Sequence, residues 1–138
     1  IREFMSASGL EVAQSKVVPD ETVDIKATIV TWAPLVDLIL TTGGTGLGPR
    51  DVTPEATNDV IERHIPGITE AMRIRTLEFT PMAMLSRGVA GIRSGCIIIN
   101  LPGSPRAVKE CLNVIDPIVQ HALQVVTGNT AHENPEQG

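Results

Sequence analysis

The run Leu38-Ile39-Leu40-Thr41-Thr42-Gly43-Gly44-Thr45-Gly46-Leu47-Gly48-Pro49-Arg50-Asp51-Val52-Thr53-Pro54 passes from strand to loop to helix within one short segment. Its first part belongs to Leu35–Leu40, apolar except at Asp37, the pattern of a strand buried on both faces as a parallel sheet requires. Four glycines follow, at 43, 44, 46 and 48. Glycine permits positive φ and lets backbone N–H groups come close to a ligand. Groups so arranged cradle phosphate, and Thr42 and Thr45 add hydroxyl donors. Thr53-Pro54 then opens a helix, with Thr as a fit N-cap and Pro as a fit first helical residue. A loop at the carboxyl end of a buried strand is where open α/β sheets bind ligands. No Gly-Lys-Ser/Thr follows, so this is not a Walker A loop, and Pro49 breaks the Rossmann fingerprint. A glycine-rich turn that binds nothing is the other reading of the glycines alone.

The same pattern recurs downstream. Gly95–Leu101 reads as a second buried strand, Pro102-Gly103 as a turn, and Ser104-Pro105 as a capped helix start reaching about Thr127, with Pro117 placed to kink it. A helix N-terminus offers free N–H groups and a positive dipole end to an anion. Two such sites in one small domain imply two phosphorylated ligands, or one long one. Asp51 stands beside the first loop. A carboxylate next to phosphates becomes sensible when a divalent cation bridges them, since magnesium favours one or two carboxylates plus ligand oxygens. The alternative is a solvated loop residue favoured by the dipole of the Thr53 helix. Asp20-Glu21 offers a second metal carboxylate or a plain polar turn.

Around these runs the chain alternates strands and helices. Ile1–Ser8 reads as a helix closed by Gly9, Leu10–Val18 as a weakly alternating strand, and Thr22–Trp32 as a helix. The helix from Thr53 is expected to reach about His64 and stop before Pro66-Gly67, with a short helix over Thr69–Leu77. The fold class is therefore α/β with a largely parallel sheet. One domain over 1–128 is expected, followed by a polar tail or linker over 129–138.

Composition sets the bounds. The 138 residues hold Phe4, Phe79 and Trp32 and no tyrosine, so the core must be aliphatic. A net charge of −5 with scattered basic residues disfavours nucleic acid and membrane surfaces as partners. No apolar run approaches the roughly 20 residues of a spanning helix, and no signal peptide is visible, so a cytoplasmic protein is expected. Cys96 and Cys111 lack a zinc spacing and read as reduced, buried thiols. His64, His121 and His132 lie far apart and read as ordinary helix or tail residues.

Thr42-Gly43-Gly44-Thr45-Gly46 followed by Pro49-Arg50-Asp51-Val52-Thr53-Pro54-Glu55-Ala56-Thr57 resembles the molybdenum-cofactor biosynthesis family of MogA- and MoaB-like proteins, which includes the plant and gephyrin G domains. Further matches are Val18-Pro19-Asp20-Glu21, Pro66-Gly67, Thr80-Pro81, Met84-Leu85-Ser86-Arg87, Ala90-Gly91-Ile92-Arg93 and Asn100-Leu101-Pro102-Gly103-Ser104, so the resemblance runs from Val17 to Gly128. It implies a three-layer α/β/α domain that assembles as a homotrimer. It implies a magnesium-dependent molybdopterin adenylyltransferase that moves AMP from ATP to the terminal phosphate of molybdopterin and releases pyrophosphate. A pterin-binding or scaffold domain without turnover, as in gephyrin-like or MoaB-type relatives, is the alternative. By motif position, Asp51 and Asp20 match the functional and metal-binding carboxylates, Thr42, Gly43, Gly44, Thr45 and Gly46 the phosphate loop, and Gly103 and Ser104 the pterin-side loop. A molybdenum-insertion domain would act downstream. Ser86 and Arg87 match with no role attached. Family members open with a buried strand ahead of the helix that here starts at Ile1, and the link Trp32–Leu35 is short. Either residues precede Ile1, or the chain is a piece lacking a strand and part of the site.

Overall fold

A computed structural model describes residues 1–128, so the tail reading over 129–138, and His132 with it, lies outside the described residues. The order is α1 (Arg2–Ala7), α2 (Thr22–Trp32), β1 (Leu38–Thr42), α3 (Thr53–Val60), β2 (Arg63–His64), α4 (Pro66–Leu77), a 3-10 turn (Pro81–Leu85), β3 (Ala90–Arg93), β4 (Cys96–Leu101) and α5 (Pro105–Val126). The strands form one sheet in the order β1-β4-β3-β2. β1 runs parallel to β4, while β4 with β3 and β3 with β2 run antiparallel. The sheet is thus mixed rather than largely parallel. Ser94 and Gly95, both at positive φ, turn β3 tightly into β4, and a link that short only joins antiparallel neighbours.

β4 is the centre of the molecule, buried along its whole length. Its side chains alternate between faces. Ile97, Ile99 and Leu101 join Met5 of α1, Met72 of α4 and Cys111, Leu112 and Ile115 of α5. Cys96 and Ile98 join Ile25 and Ile29 of α2, Ile39 of β1 and Ala56 and Val60 of α3. Helices therefore cover both sheet faces in three layers. Each fully buried isoleucine of β4 contributes about 1.5–3 kcal/mol through removal of apolar surface from water.

Several elements depart from the expected ones. Leu10–Val18 forms no strand. Its Leu10 and Val12 pack on the α1/α4/α5 side and Val18 on the opposite side, so the segment crosses between layers, and Val17 is 96% exposed. β1 begins at Leu38, not Leu35, which is 76% exposed. Val52 rather than Thr53 is the N-cap of α3, and α3 ends at Val60. His64 therefore lies in β2, where it pairs with Gly91. Pro66 opens α4 at its first turn instead of blocking it, as a residue needing no N–H partner can. Ser104 does cap α5: its Oγ accepts the Ala107 N–H at 3.1 Å, with Pro105 next. α5 runs through Pro117 as one helix. Among the described residues no helix is long and apolar enough to cross a membrane.

Candidate functional site

Because β1 and β4 are parallel neighbours, their carboxyl ends emerge side by side, with Thr42 opposite Leu101. The two loops that follow meet there. A Cβ built on Gly103 would stand 3.3 Å from the Gly43 Cα, and the Gly43 N–H donates to Leu101 O at 3.1 Å. Only residues without side chains allow backbones this close. Gly43 and Gly44 both hold positive φ, at 81° and 67°. Gly44 O accepts the Thr53 N–H at 3.2 Å, which ties the loop to the start of α3.

These loops form one end of a cavity of about 520 Å³. Gly43, Gly44, Thr45, Gly46 and Asp51 line one wall, and Pro102, Gly103 and Ser104 the other. The rest is a largely apolar chamber between α4, the 3-10 turn and α5, with Met72, Met82, Leu85 and Ala107 on its walls beside the polar Thr69, Arg73, Thr76 and Glu110. Glycine-rich backbone at one end and largely apolar walls at the other suit flat ligands that carry phosphate. Of the predicted site residues, Thr42 and Asp20 do not line this cavity. Asp20 is exposed at the bend ahead of α2. Asp51 is therefore the one of the two expected carboxylates on the cavity wall, where its Oδ2 accepts the Gly48 N–H at 2.9 Å. Among the described residues no three His, Cys, Asp or Glu side chains gather to hold a metal. A single carboxylate still fits magnesium held largely by water and by ligand phosphate oxygens.

Two residues absent from the expected site organise it. Asn100, on β4 and 2% exposed, donates its amide to Thr41 Oγ1 at 2.9 Å and Thr57 Oγ1 at 3.1 Å, and accepts the Val89 N–H at 3.1 Å. It locks β1, α3 and the approach to β3 together beneath the loops. Arg87 donates Nε to Gly46 O at 2.8 Å and Nη2 to Asp51 O at 2.7 Å, and pairs through Nη1 with Glu55 of α3. The hydrogen bond from Arg87 holds the Glu55 carboxyl below its usual value, against a small opposing effect of burial. Arg73 of α4 reaches Ser86 O and Gly88 O, fixing the other side of that segment. Asn100 could have drawn attention as a lone polar residue in an apolar strand. Nothing in the spacing of Arg87 points to a carbonyl 41 positions earlier.

Cys111 also faces the cavity. Both cysteines are free and buried, and burial pushes the Cys96 thiol up to about 12 and the Cys111 thiol up to about 11. Neither is poised as a nucleophile. The cavity can bind and orient phosphates between backbone amides, and it lacks an activated side-chain nucleophile.

The chain is similar to several known proteins. Gephyrin from Dictyostelium discoideum is 48% identical over 122 residues, 88% of this chain and 17% of that protein. Molybdopterin adenylyltransferase from Escherichia coli K12 is 47% identical over 104 residues, 72% of this chain and 52% of that one. The chain thus spans about half the length of that curated relative. The crystal structure of the molybdopterin biosynthesis enzyme MoaB from Thermus thermophilus superposes with a TM-score of 0.86 at 51% identity, covering 92% of this chain and 81% of that one. A family model described as "Probable molybdopterin binding domain" matches residues 1–121, and the chain belongs to that molybdenum-cofactor biosynthesis family.

Proposed function

We propose that this domain transfers AMP from ATP to the terminal phosphate of molybdopterin. The observation that carries the reading is that the β1 and β4 loops, far apart in sequence, face one another across a single cavity. One phosphorylated ligand on each loop would bring two phosphates together. A terminal phosphate oxygen of molybdopterin attacks the α-phosphorus of ATP. The bond from that phosphorus to the bridging oxygen breaks, and pyrophosphate leaves with the electron pair. Such a transfer needs alignment and charge neutralisation rather than a protein nucleophile. The amides of Gly43–Gly46 would hold the nucleotide phosphates, and Gly103 with the start of α5 the pterin phosphate.

Asp51 would be the protein ligand to magnesium, which when bound draws charge from the transferring and leaving phosphates. Asp20 is exposed outside the cavity lining and is the weaker candidate for a second carboxylate. The curated relatives named molybdopterin adenylyltransferase support this reading over a scaffold without turnover, as does a carboxylate on the cavity wall. The same reading makes the protein cytoplasmic and hands the adenylylated pterin to a molybdenum-insertion domain.

Assembly as a homotrimer belongs to the proposal. Its support is the exposed apolar group of Phe79, Met82, Met84 and Leu85, which a partner copy would cover. Light scattering that gives a monomer at every concentration would count against it. The activity itself is tested by supplying ATP, magnesium and molybdopterin to the purified protein. Pyrophosphate release that depends on molybdopterin, with an adenylylated pterin as co-product, is expected. ATP hydrolysis or inertness would refute it.

A further inference from the structure

Arg87 does not line the cavity, yet its side chain touches the phosphate loop at both ends. Between Gly46 and Asp51 the loop holds Gly48 and Pro49, and its own bonds are few: Asp51 N–H to Gly48 O at 3.0 Å and Gly48 N–H to the Asp51 carboxylate. The Gly44 O to Thr53 N–H bond ties the start of the loop to α3, but neither of those two bonds fixes where Gly46–Asp51 sits over the helix. The guanidinium supplies that reference, because its fork reaches Gly46 O, Asp51 O and the Glu55 carboxylate at once. The Arg87 N–H adds a bond to Thr45 O at 2.8 Å. A lysine ammonium is a compact point charge without the planar, wide-set fork that spans these three acceptors.

We infer that Arg87 is the positioning residue of the phosphate loop, with Glu55 as its anchor. It holds the loop amides and Asp51 in the arrangement that a nucleotide phosphate meets, so binding does not have to order the loop. Glu55 is half-exposed and comes from the helix that the loop leads into, so the pair staples the loop to α3. Pre-ordering of this kind shows as affinity, because the cost of fixing a glycine-rich segment is met in folding. The identity of the ligand as ATP rests on the proposed adenylyltransferase reading; the staple does not.

The test compares the wild-type protein with Arg87→Lys, Glu55→Gln and, as a control ion pair on the exposed surface between α2 and α3, Lys26→Gln. Amide hydrogen exchange at Gly48 and Asp51 is measured without ligand, and ATP and molybdopterin are titrated separately. Arg87→Lys should speed exchange at those two amides by about tenfold and weaken ATP by about tenfold, with molybdopterin affinity held within about twofold. In turnover the effect should fall on the KM for ATP rather than on the KM for molybdopterin. Glu55→Gln should give a smaller change of the same kind, and Lys26→Gln none. Methylguanidinium should restore ATP binding to Arg87→Gly in part. A folded Arg87→Lys protein with wild-type exchange at Gly48 and Asp51 overturns the staple. Faster exchange with unchanged ATP affinity overturns the positioning role. If Arg87→Lys fails to fold, wild-type exchange and ATP affinity in Glu55→Gln overturn the proposal. A wild-type protein that binds no ATP sinks the adenylyltransferase reading, and the exchange rates then decide the staple alone.

Discussion

Replacement of Gly44 by alanine tests the loop geometry at its tightest point. Two costs apply and the structure separates them. The backbone there sits at φ 67°, a region that costs an L-residue about 1–2 kcal/mol. The new Cβ would also overlap the Thr53 hydroxyl and stand 3.2 Å from the Thr53 Cβ. Thr53 is 6% exposed at the start of α3, so its side chain has little room to turn away. Overpacking of that kind costs about 1–3 kcal/mol. Gly44→Ala should therefore lose about 3 kcal/mol in urea unfolding, the sum of the conformational and steric parts. The double variant Gly44→Ala/Thr53→Ala removes the hydroxyl and keeps the positive φ. A double-mutant cycle should show about 1–2 kcal/mol recovered beyond additivity. A loss below about 1 kcal/mol, or no coupling with Thr53, would refute the steric argument. Gly44→Val adds a β-branched side chain at the same place and should lose ATP binding outright at temperatures where it remains folded.

Other outcomes follow from the same contacts. Asn100→Leu should cost about 3 kcal/mol by denaturant titration, because it strands the Thr41 and Thr57 hydroxyls and the Val89 N–H. Ser104→Ala should cost about 1 kcal/mol of stability by loss of the α5 cap and should weaken pterin more than ATP, both readable by thermal shift and titration. A larger effect on ATP would mean the two loops have been assigned the wrong way round. With thiols at about 12 and about 11, Cys96 and Cys111 should resist thiol reagents at pH 8 in the folded protein and react at once in urea. Their raised values also fix a sign. The unfolded thiols ionise from about pH 8.5 while the folded ones stay protonated, so stability should decline from there toward pH 11.

How much of this was readable in the chain depends on how local the cause was. β4 was legible because burial on both faces leaves an apolar run, Cys96 to Leu101, interrupted only by Asn100. Both glycine loops were legible because positive φ and close backbone approach have few residue solutions. The Ser104-Pro105 helix start was legible for the same local reason. β2 and β3 were not, since Arg63–His64 is two exposed residues and Ala90–Arg93 four, too short to show a period. Leu10–Val18 alternates like a strand, but its apolar residues serve two different layers, and alternation cannot reveal which partner each one finds. The ends of β1 and α3 slipped by several residues because Leu35 and Ile61–His64 carry no break stronger than their tertiary surroundings. The site divided in the same way. Asp51 and the loop glycines follow from spacing, whereas Arg87 and Asn100 act across sequence distances that only the folded sheet closes. Asp20, matched by resemblance alone, is exposed and does not line the cavity.

The central claim is that this cavity performs AMP transfer with Asp51 on the metal. A single-turnover measurement with saturating ATP, magnesium and molybdopterin, comparing the wild-type protein with Asp51→Asn, addresses it directly. The substitution keeps the size and the Gly48 contact and weakens the carboxylate as a metal ligand. Removal of one electrostatic stabiliser of a transition state costs about a hundredfold or more in rate. The wild-type protein should form adenylylated pterin, and Asp51→Asn should form it at least about a hundredfold more slowly with pterin affinity unchanged. A near-normal rate for Asp51→Asn, or no adenylylated pterin from the wild-type protein, would contradict the account.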